Sequence, residues 1–231
     1  MALSLRLTLI SALVPPGARV CDIGTDHGYL PIELIKRGDI KSVIATDIRK
    51  MPLASAEKNI KAAGVGGITL RLCDGLEGIA QNEVDTVITA GMGGEVIASI
   101  LARSAIPTAS PAPLLILQPT TSPEFLRRFL CENGFEIISD TAICENKKLY
   151  SVMTARYTGE KYNFGEEFYY CGKVNPRTED GAKYIKKQYS RLKKCADALE
   201  DIPEKREEYR RFAEISAALK KTSVLPLPVV P

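Results

Sequence analysis

The chain has 231 residues, 45% of them hydrophobic, with 31 Lys and Arg against 28 Asp and Glu. That length buries a full α/β core and leaves about 70 residues over. A net charge of +3 does not by itself announce a polyanionic partner. Six cysteines with no C-x-x-C pair, and a single histidine, leave a structural zinc site almost no ligands, so no metal is expected. Cys21 and Cys73 fall in apolar, strand-like runs, which suits reduced thiols in a cytoplasmic protein.

Residues 7–14 are apolar after Arg6, so a signal peptide is one reading of the start. Leu3, Leu7, Ile10 and Val14 instead step by four, three and four, which predicts one face of a packed helix. No segment reaches the ~20 apolar residues of a membrane span. Residues 19–23 read as a strand, 30–37 as a helix closed by Gly38, and 42–47 as a second strand. Residues 52–63 carry helical spacing and stop at Gly64. Residues 68–73 form a third strand ending at Asp74, and 84–90 a fourth. Gly91-Met92-Gly93-Gly94 and an apolar helix to Leu101 follow. Residues 114–118 make a fifth strand, 123–132 a helix, and 135–143 with 149–157 a hairpin. Five strands alternating with helices imply a parallel sheet covered on both faces. The closing antiparallel hairpin departs from a doubly wound dinucleotide fold and fits a class I, Rossmann-like methyltransferase.

The character changes near Gly159. Residues 162–181 are aromatic and irregular, a linker or docking loop. Ile185, Tyr189, Leu192, Ala196 and Leu199 then form a coiled-coil seam, and Tyr209, Phe212, Ser216 and Leu219 resume it beyond Pro203. Two antiparallel helices are expected, followed by a proline-rich, frayed end over 223–231. The chain thus divides into a Rossmann-like domain over 1–158 and a linker plus helical coiled-coil tail over 159–231. Residues 183–231 hold 12 Lys and Arg against 7 Asp and Glu, while the remainder is slightly acidic at 19 against 21. Such a surplus is either a solvated face or a handle for a polyanion.

The stretch from Val20 to Pro31 carries the chemistry. An apolar strand ends in Asp22, turns through Gly24, Asp26, His27 and Gly28, and enters a helix. Two carboxylates in that turn would repel a pyrophosphate, so the plain dinucleotide fingerprint fits poorly. A cationic, hydroxyl-rich ligand fits better, and S-adenosylmethionine is both. In an open parallel sheet the ligand lies beyond the carboxyl ends of the strands. Asp22, Asp47, Asp74 and the loop at Gly91 all fall there. Asp47 sits where an acid reaches ribose hydroxyls, a geometry common to NAD and S-adenosylmethionine sites. Asp74 is placed to bond the adenine amino group. His27, the single histidine, is either structural or, beside Asp26, a positional rather than acid–base member of the site. Gln118-Pro119-Thr120 either lines the same cleft or is a strand stopped by proline. No Asn/Asp-Pro-Pro-aromatic tetrad follows the fourth strand, which argues against methylation of an exocyclic amine.

The runs 22–31 (DIGTDHGYLP), 90–94 (AGMGG) and 117–120 (LQPT) resemble signatures of the bacterial tRNA (adenine-22-N1)-methyltransferases, the TrmK family. The resemblance spans roughly residues 3–157, with a coiled-coil tail expected beyond. Gly28 stands where alanine is expected, and Thr120 where asparagine is. It implies a class I fold that transfers the methyl group of S-adenosylmethionine to N1 of adenine 22 in tRNA. It also implies a cofactor site at Asp22, Gly24, His27, Asp47, Asp74 and Gly91. Methylation leaves positive charge on the base, and a nearby carboxylate stabilises that charge or accepts the proton then lost. Asp26 is the candidate, with orientation of the methionine amine as its rival role. The alternatives are a catalytically silent RNA-binding module on this fold and an NAD-linked oxidoreductase.

Overall fold

Neighbouring residues of each central strand feed two different cores. In the computed structural model, which describes residues 3–223, the elements follow the expected alternation. They begin with α1 (Leu5–Leu13), β1 (Arg19–Ile23), α2 (Tyr29–Lys36), β2 (Ser42–Asp47), α3 (Lys50–Ala63) and β3 (Ile68–Leu72). Then come β4 (Thr86–Gly93), α4 (Gly94–Ala102), β5 (Leu114–Thr121), α5 (Pro123–Glu132), β6 (Phe135–Glu145) and β7 (Lys148–Tyr157). Cys21, Val87 and Leu115 point into one cluster with α4 and α5, whereas Val20, Ile88 and Ile116 point into the other with α1 and α2. That period of two explains why these strands read as unbroken apolar runs: both faces are covered.

The sheet order is β3-β2-β1-β4-β5-β7-β6, with the first five strands parallel and β7 reversed between β5 and β6. Ile10 and Val14 are buried against the sheet, so the amino-terminal stretch is a packed helix. The β6–β7 turn is two residues, Asn146 and Lys147, both at positive φ (50° and 64°), the backbone of a tight hairpin.

Four elements differ from the sequence reading. β4 continues through Gly93 and β5 through Pro119 to Thr121. Their pairing slips between Ala90 and Met92, opposite Pro119, which has no N–H to give the ladder. Cys73 lies one residue past β3 and is half-buried, while Cys21 is fully buried. The irregular stretch after Gly159 contains a short helix, α6 (Glu166–Cys171), whose Tyr169 and Tyr170 are buried.

Helices α7 (Glu179–Asp197) and α8 (Arg206–Ser223) form a hairpin. Tyr184 and Ile185 early in α7 share a cluster with Ile215 and Leu219 late in α8, so the pair runs antiparallel. Leu192 and Ala196 are buried as the seam requires, and Tyr189 and Phe212 pack at its margin. Ala142 of β6 and Val174 join the same cluster, which seats the hairpin on the sheet edge. The frayed end expected from residue 224 onward lies outside the described residues.

Candidate active site

The carboxyl ends of β1 to β4 open on one cleft of about 590 Å³. Asp22, Gly24, Asp26 and His27 line it from the first turn, Asp47 and Asp74 from the ends of β2 and β3, and Gly91 from β4. Seven residues picked from the sequence therefore meet in one place.

Local hydrogen bonding sets the turn. The Gly24 and Thr25 N–H groups donate to the Thr46 carbonyl at 2.8 and 2.9 Å, which folds the exit of β1 across β2. Gly24 has φ 74°, a backbone conformation that favours glycine, and a Cβ there would displace the Met92 methyl group. Asp26 also lies in the left-handed region, at φ 52°. Asp tolerates that conformation better than most residues, at a cost that surrounding structure must offset. Its carboxylate is exposed at the cleft mouth, 3.4 Å from His27 Nε2, and the His27 ring stacks on Tyr29 at 5.4 Å.

The acids differ sharply in environment. Asp22 is 4% exposed, and burial pushes its carboxyl up to about 6, opposed by the Thr25 hydroxyl. Asp47 is also buried, with Oδ1 accepting the Arg49 N–H at 2.9 Å. Asp74 is gripped by Arg103 through two hydrogen bonds of 2.8 and 3.1 Å. That fork holds its carboxyl below the usual carboxylate range.

Gln118 does not line the cleft. It is fully buried, and its Oε1 accepts hydrogen bonds from the Arg6 Nη1 and, at 3.1 Å, from the Gly91 N–H. Its Nε2 donates to the Pro119 carbonyl at 2.8 Å, so its amide braces the β4 loop from behind. Nor does the proline stop β5. Sequence reasoning missed Arg6, which reaches the cleft from α1 together with Leu7. The available signal was its charge, alone in a helix otherwise free of ionisable residues. Among the described residues no group of three His, Cys, Asp or Glu side chains could hold a metal ion, and no helix is long and apolar enough to cross a membrane.

This sheet order, with a glycine turn and acids at consecutive strand ends, defines a Rossmann-like methyltransferase. The family model described as a methyltransferase domain matches residues 3–153. A tRNA (adenine(22)-N(1))-methyltransferase of Bacillus subtilis is 34% identical over 156 residues, 67% of this chain and 65% of that relative's length. A putative tRNA (m1A22) methyltransferase of Streptococcus pneumoniae, solved in complex with S-adenosyl-L-methionine, superposes with a TM-score of 0.81 at 30% identity. That likeness covers 96% of this chain and all (100%) of the other. The TrmK of M. capricolum, solved with S-adenosyl-homocysteine, gives a TM-score of 0.80 at 25% identity over 96% and 98% of the two chains. The chain belongs to the TrmK family of methyltransferases.

Proposed function

We propose that the protein transfers the methyl group of S-adenosylmethionine to the ring nitrogen N1 of adenine 22 in tRNA. The observation that carries this reading is the row of carboxylates at the ends of adjoining parallel strands, Asp22 and Asp47 with Asp74 just beyond β3, around a glycine turn at positive φ. Such a row repels a pyrophosphate and holds cationic and hydroxyl groups. Relatives that act on adenine 22, and a neighbour solved with S-adenosylmethionine, support the same ligand and substrate.

When bound, S-adenosylmethionine supplies a methyl group already activated on a sulfonium. What falls to this chain is binding, orientation and charge. Asp22 opposes the methionine ammonium, Asp47 accepts from the ribose hydroxyls, and Asp74, fixed by Arg103, accepts from the adenine amino group. Gly24 and Gly91 let backbone approach the ligand, and His27 packs beside it. Asp26 keeps an exposed carboxylate at the mouth. There it stabilises the positive charge gained by the acceptor base and takes the proton that its amino group loses. A stacked base cannot reach the cleft, so the acceptor is unpaired and extruded. Residues 1–158 carry this chemistry and residues 159–231 grip the RNA, in the cytoplasm where tRNA is modified.

Incubation with labelled S-adenosylmethionine and unmodified tRNA, followed by mapping of the label, is expected to find N1-methyladenine at position 22. Label at another position would overturn the substrate assignment. Binding of tRNA with no transfer would favour a silent RNA-binding module, and tighter binding of NAD than of S-adenosylmethionine would favour an oxidoreductase.

A further inference from the structure

We infer that Phe125, in the first turn of α5, is a stacking platform for an unpaired base of the RNA, the neighbour left bare when the acceptor is extruded. This rests on the substrate being tRNA. The ring breaks the pattern of its own helix. Leu126, Arg127, Leu130 and Cys131 are buried and define the inward face of α5. Phe125 falls on the other side, where an amphipathic helix carries polar residues, and it is 47% exposed. Only two phenylalanines are exposed among the described residues, and the other, Phe164, lies against the Phe168 ring at 4.0 Å. Phe125 makes no ring contact among the described residues. Its apolar face is left in water at a position where a polar helix former would serve the fold equally.

The start of α5 is fixed beside the cleft. Thr121, the last residue of β5, pairs with Gly93, which follows the cleft-lining Met92. The Thr120 hydroxyl donates to the Met92 carbonyl at 3.0 Å, and the Ser122 hydroxyl to Glu95 Oε1 at 3.4 Å. The Ser122 carbonyl packs so closely on Gly94 that a Cβ there would lie 2.3 Å away. Ser122 takes φ 49° to make this turn, a conformation that serine keeps only where its surroundings impose it. Phe125 is therefore one helical turn and one strand spacing from Gly93, about 10 Å, on a rigid element. On the other flank Glu124 accepts from Arg191 of α7 at 2.9 Å. Lys187 and Lys194, both exposed, lie four residues before and three after Arg191, on the same helical face. That positive face beside the ring selects a polyanion over an apolar protein surface. An extruded base leaves its neighbour unstacked, and an aromatic ring covers such a face whatever the base, since every base has a π-face.

The test compares the parent with Phe125→Ala, Phe125→Leu and Phe125→Tyr in tRNA binding, methyl transfer and S-adenosylmethionine binding. Phe125→Ala is expected to raise the KM for tRNA about tenfold, with cofactor affinity and Tm at the parent's values because the ring is exposed. Its salt slope should match the parent's, since no phosphate contact is lost. Phe125→Tyr should restore the parent's KM, and Phe125→Leu, apolar but without a π-face, should not. A parent-like KM in Phe125→Ala, or full rescue by leucine, overturns the inference. A second arm uses tRNA with an abasic nucleotide at position 21 or at position 23. On one of the two the Phe125→Ala penalty should vanish, a coupling that a purely structural phenylalanine would not give. A penalty that persists on both overturns the inference. A parent that fails to bind tRNA overturns the proposed substrate itself, an outcome distinct from a variant that behaves as the parent does.

Discussion

Arg127 and Asp140 form an ion pair of 2.7 Å, Nε to Oδ2, with both side chains wholly buried. The rest of the guanidinium is spent across the molecule. Nη1 donates to the Tyr169 and Tyr170 carbonyls, and Nη2 to the Ser151 and Tyr184 hydroxyls. One side chain of α5 thereby ties β6 and β7 to α6 and to α7 of the helical hairpin. Burial works against its charge, but Asp140 and Tyr184 outweigh burial and push the guanidinium pKa up. Removing one member of such a pair strands the other, at a cost of about 3–5 kcal/mol. Arg127→Met is expected to lose that much in urea unfolding, with the tail becoming protease-sensitive first. Asp140→Asn keeps an acceptor but leaves the guanidinium charge buried and uncompensated, and is expected to lose at least as much. An Arg127→Met midpoint within experimental error of the parent would mean that the outer pairs Arg191–Glu124 and Arg211–Glu166 hold the tail on their own.

Asp22 is the acid whose site and stability roles conflict. Its folded pKa, about 6, lies above the ordinary carboxyl value of 3.8, so the folded chain binds the proton more tightly than the unfolded one. Stability from this group is therefore greatest at low pH and falls as pH rises toward 6, a penalty of roughly 3 kcal/mol at pH 7. Asp22→Asn removes the buried charge and is expected to melt higher at pH 7 while binding S-adenosylmethionine more weakly. In the parent, cofactor affinity should decline as pH drops below about 6, and in Asp22→Asn that decline should vanish. Thermal melts and binding isotherms between pH 5 and 8 give both readings; parallel pH profiles in parent and variant would remove Asp22 from the ammonium site.

Asp26 is set apart by backbone and exposure together. If it serves the acceptor base, Asp26→Asn should cut turnover by a factor of about 10²–10⁴, the usual contribution of a positioned acid or base, with cofactor affinity nearly unchanged. Asn accepts the same left-handed backbone, so the fold is a fair control. Equal losses in affinity and turnover would move Asp26 to the methionine amine. Unimpaired turnover would take it out of the chemistry.

The strand-end rule made most of the cleft legible, because each acid follows an apolar run that fixes where its strand stops. Val20 to Asp22 and Val43 to Asp47 needed no long-range information. Arg6 was illegible for the opposite reason: it belongs to α1, and only packing of that helix against α2, β6 and β7 brings it to the cleft. Gln118 was read as a lining candidate from its position at a strand end, yet a slipped register with β4 accommodates Pro119 and lets β5 run on, and Arg6 and the Gly91 N–H hold the amide inward. The hairpin seam was legible from spacing alone. Its docking was not, since Arg127 lies 57 residues from Tyr184 and nothing local marks it as a core residue.

The basic surplus of residues 183–231 separates into paired and unpaired charges. Lys183 is bound to Glu179, Lys193 to Asp197 at 2.8 Å, and Arg191 to Glu124 at 2.9 Å. Lys186, Lys187 and Lys194 are exposed and have no ion pair among the described residues. Unpaired cations on a rigid helix are the ones free to meet phosphates. Arg191 also ties α7 to Glu124 at the start of α5, two residues past Ser122, whose carbonyl packs on Gly94 at the start of α4. Replacing Lys186, Lys187 and Lys194 together by glutamine should raise the KM for tRNA and leave cofactor affinity alone. With three lysines no longer neutralising phosphates, the log–log salt slope of tRNA binding should flatten by about two units. Replacing Lys193 alone should do much less, because its charge is already matched by Asp197. Titration of tRNA binding across a salt series decides the matter. A triple variant with the parent's slope and affinity would make these lysines a solvated face, and the hairpin would then serve folding or self-association.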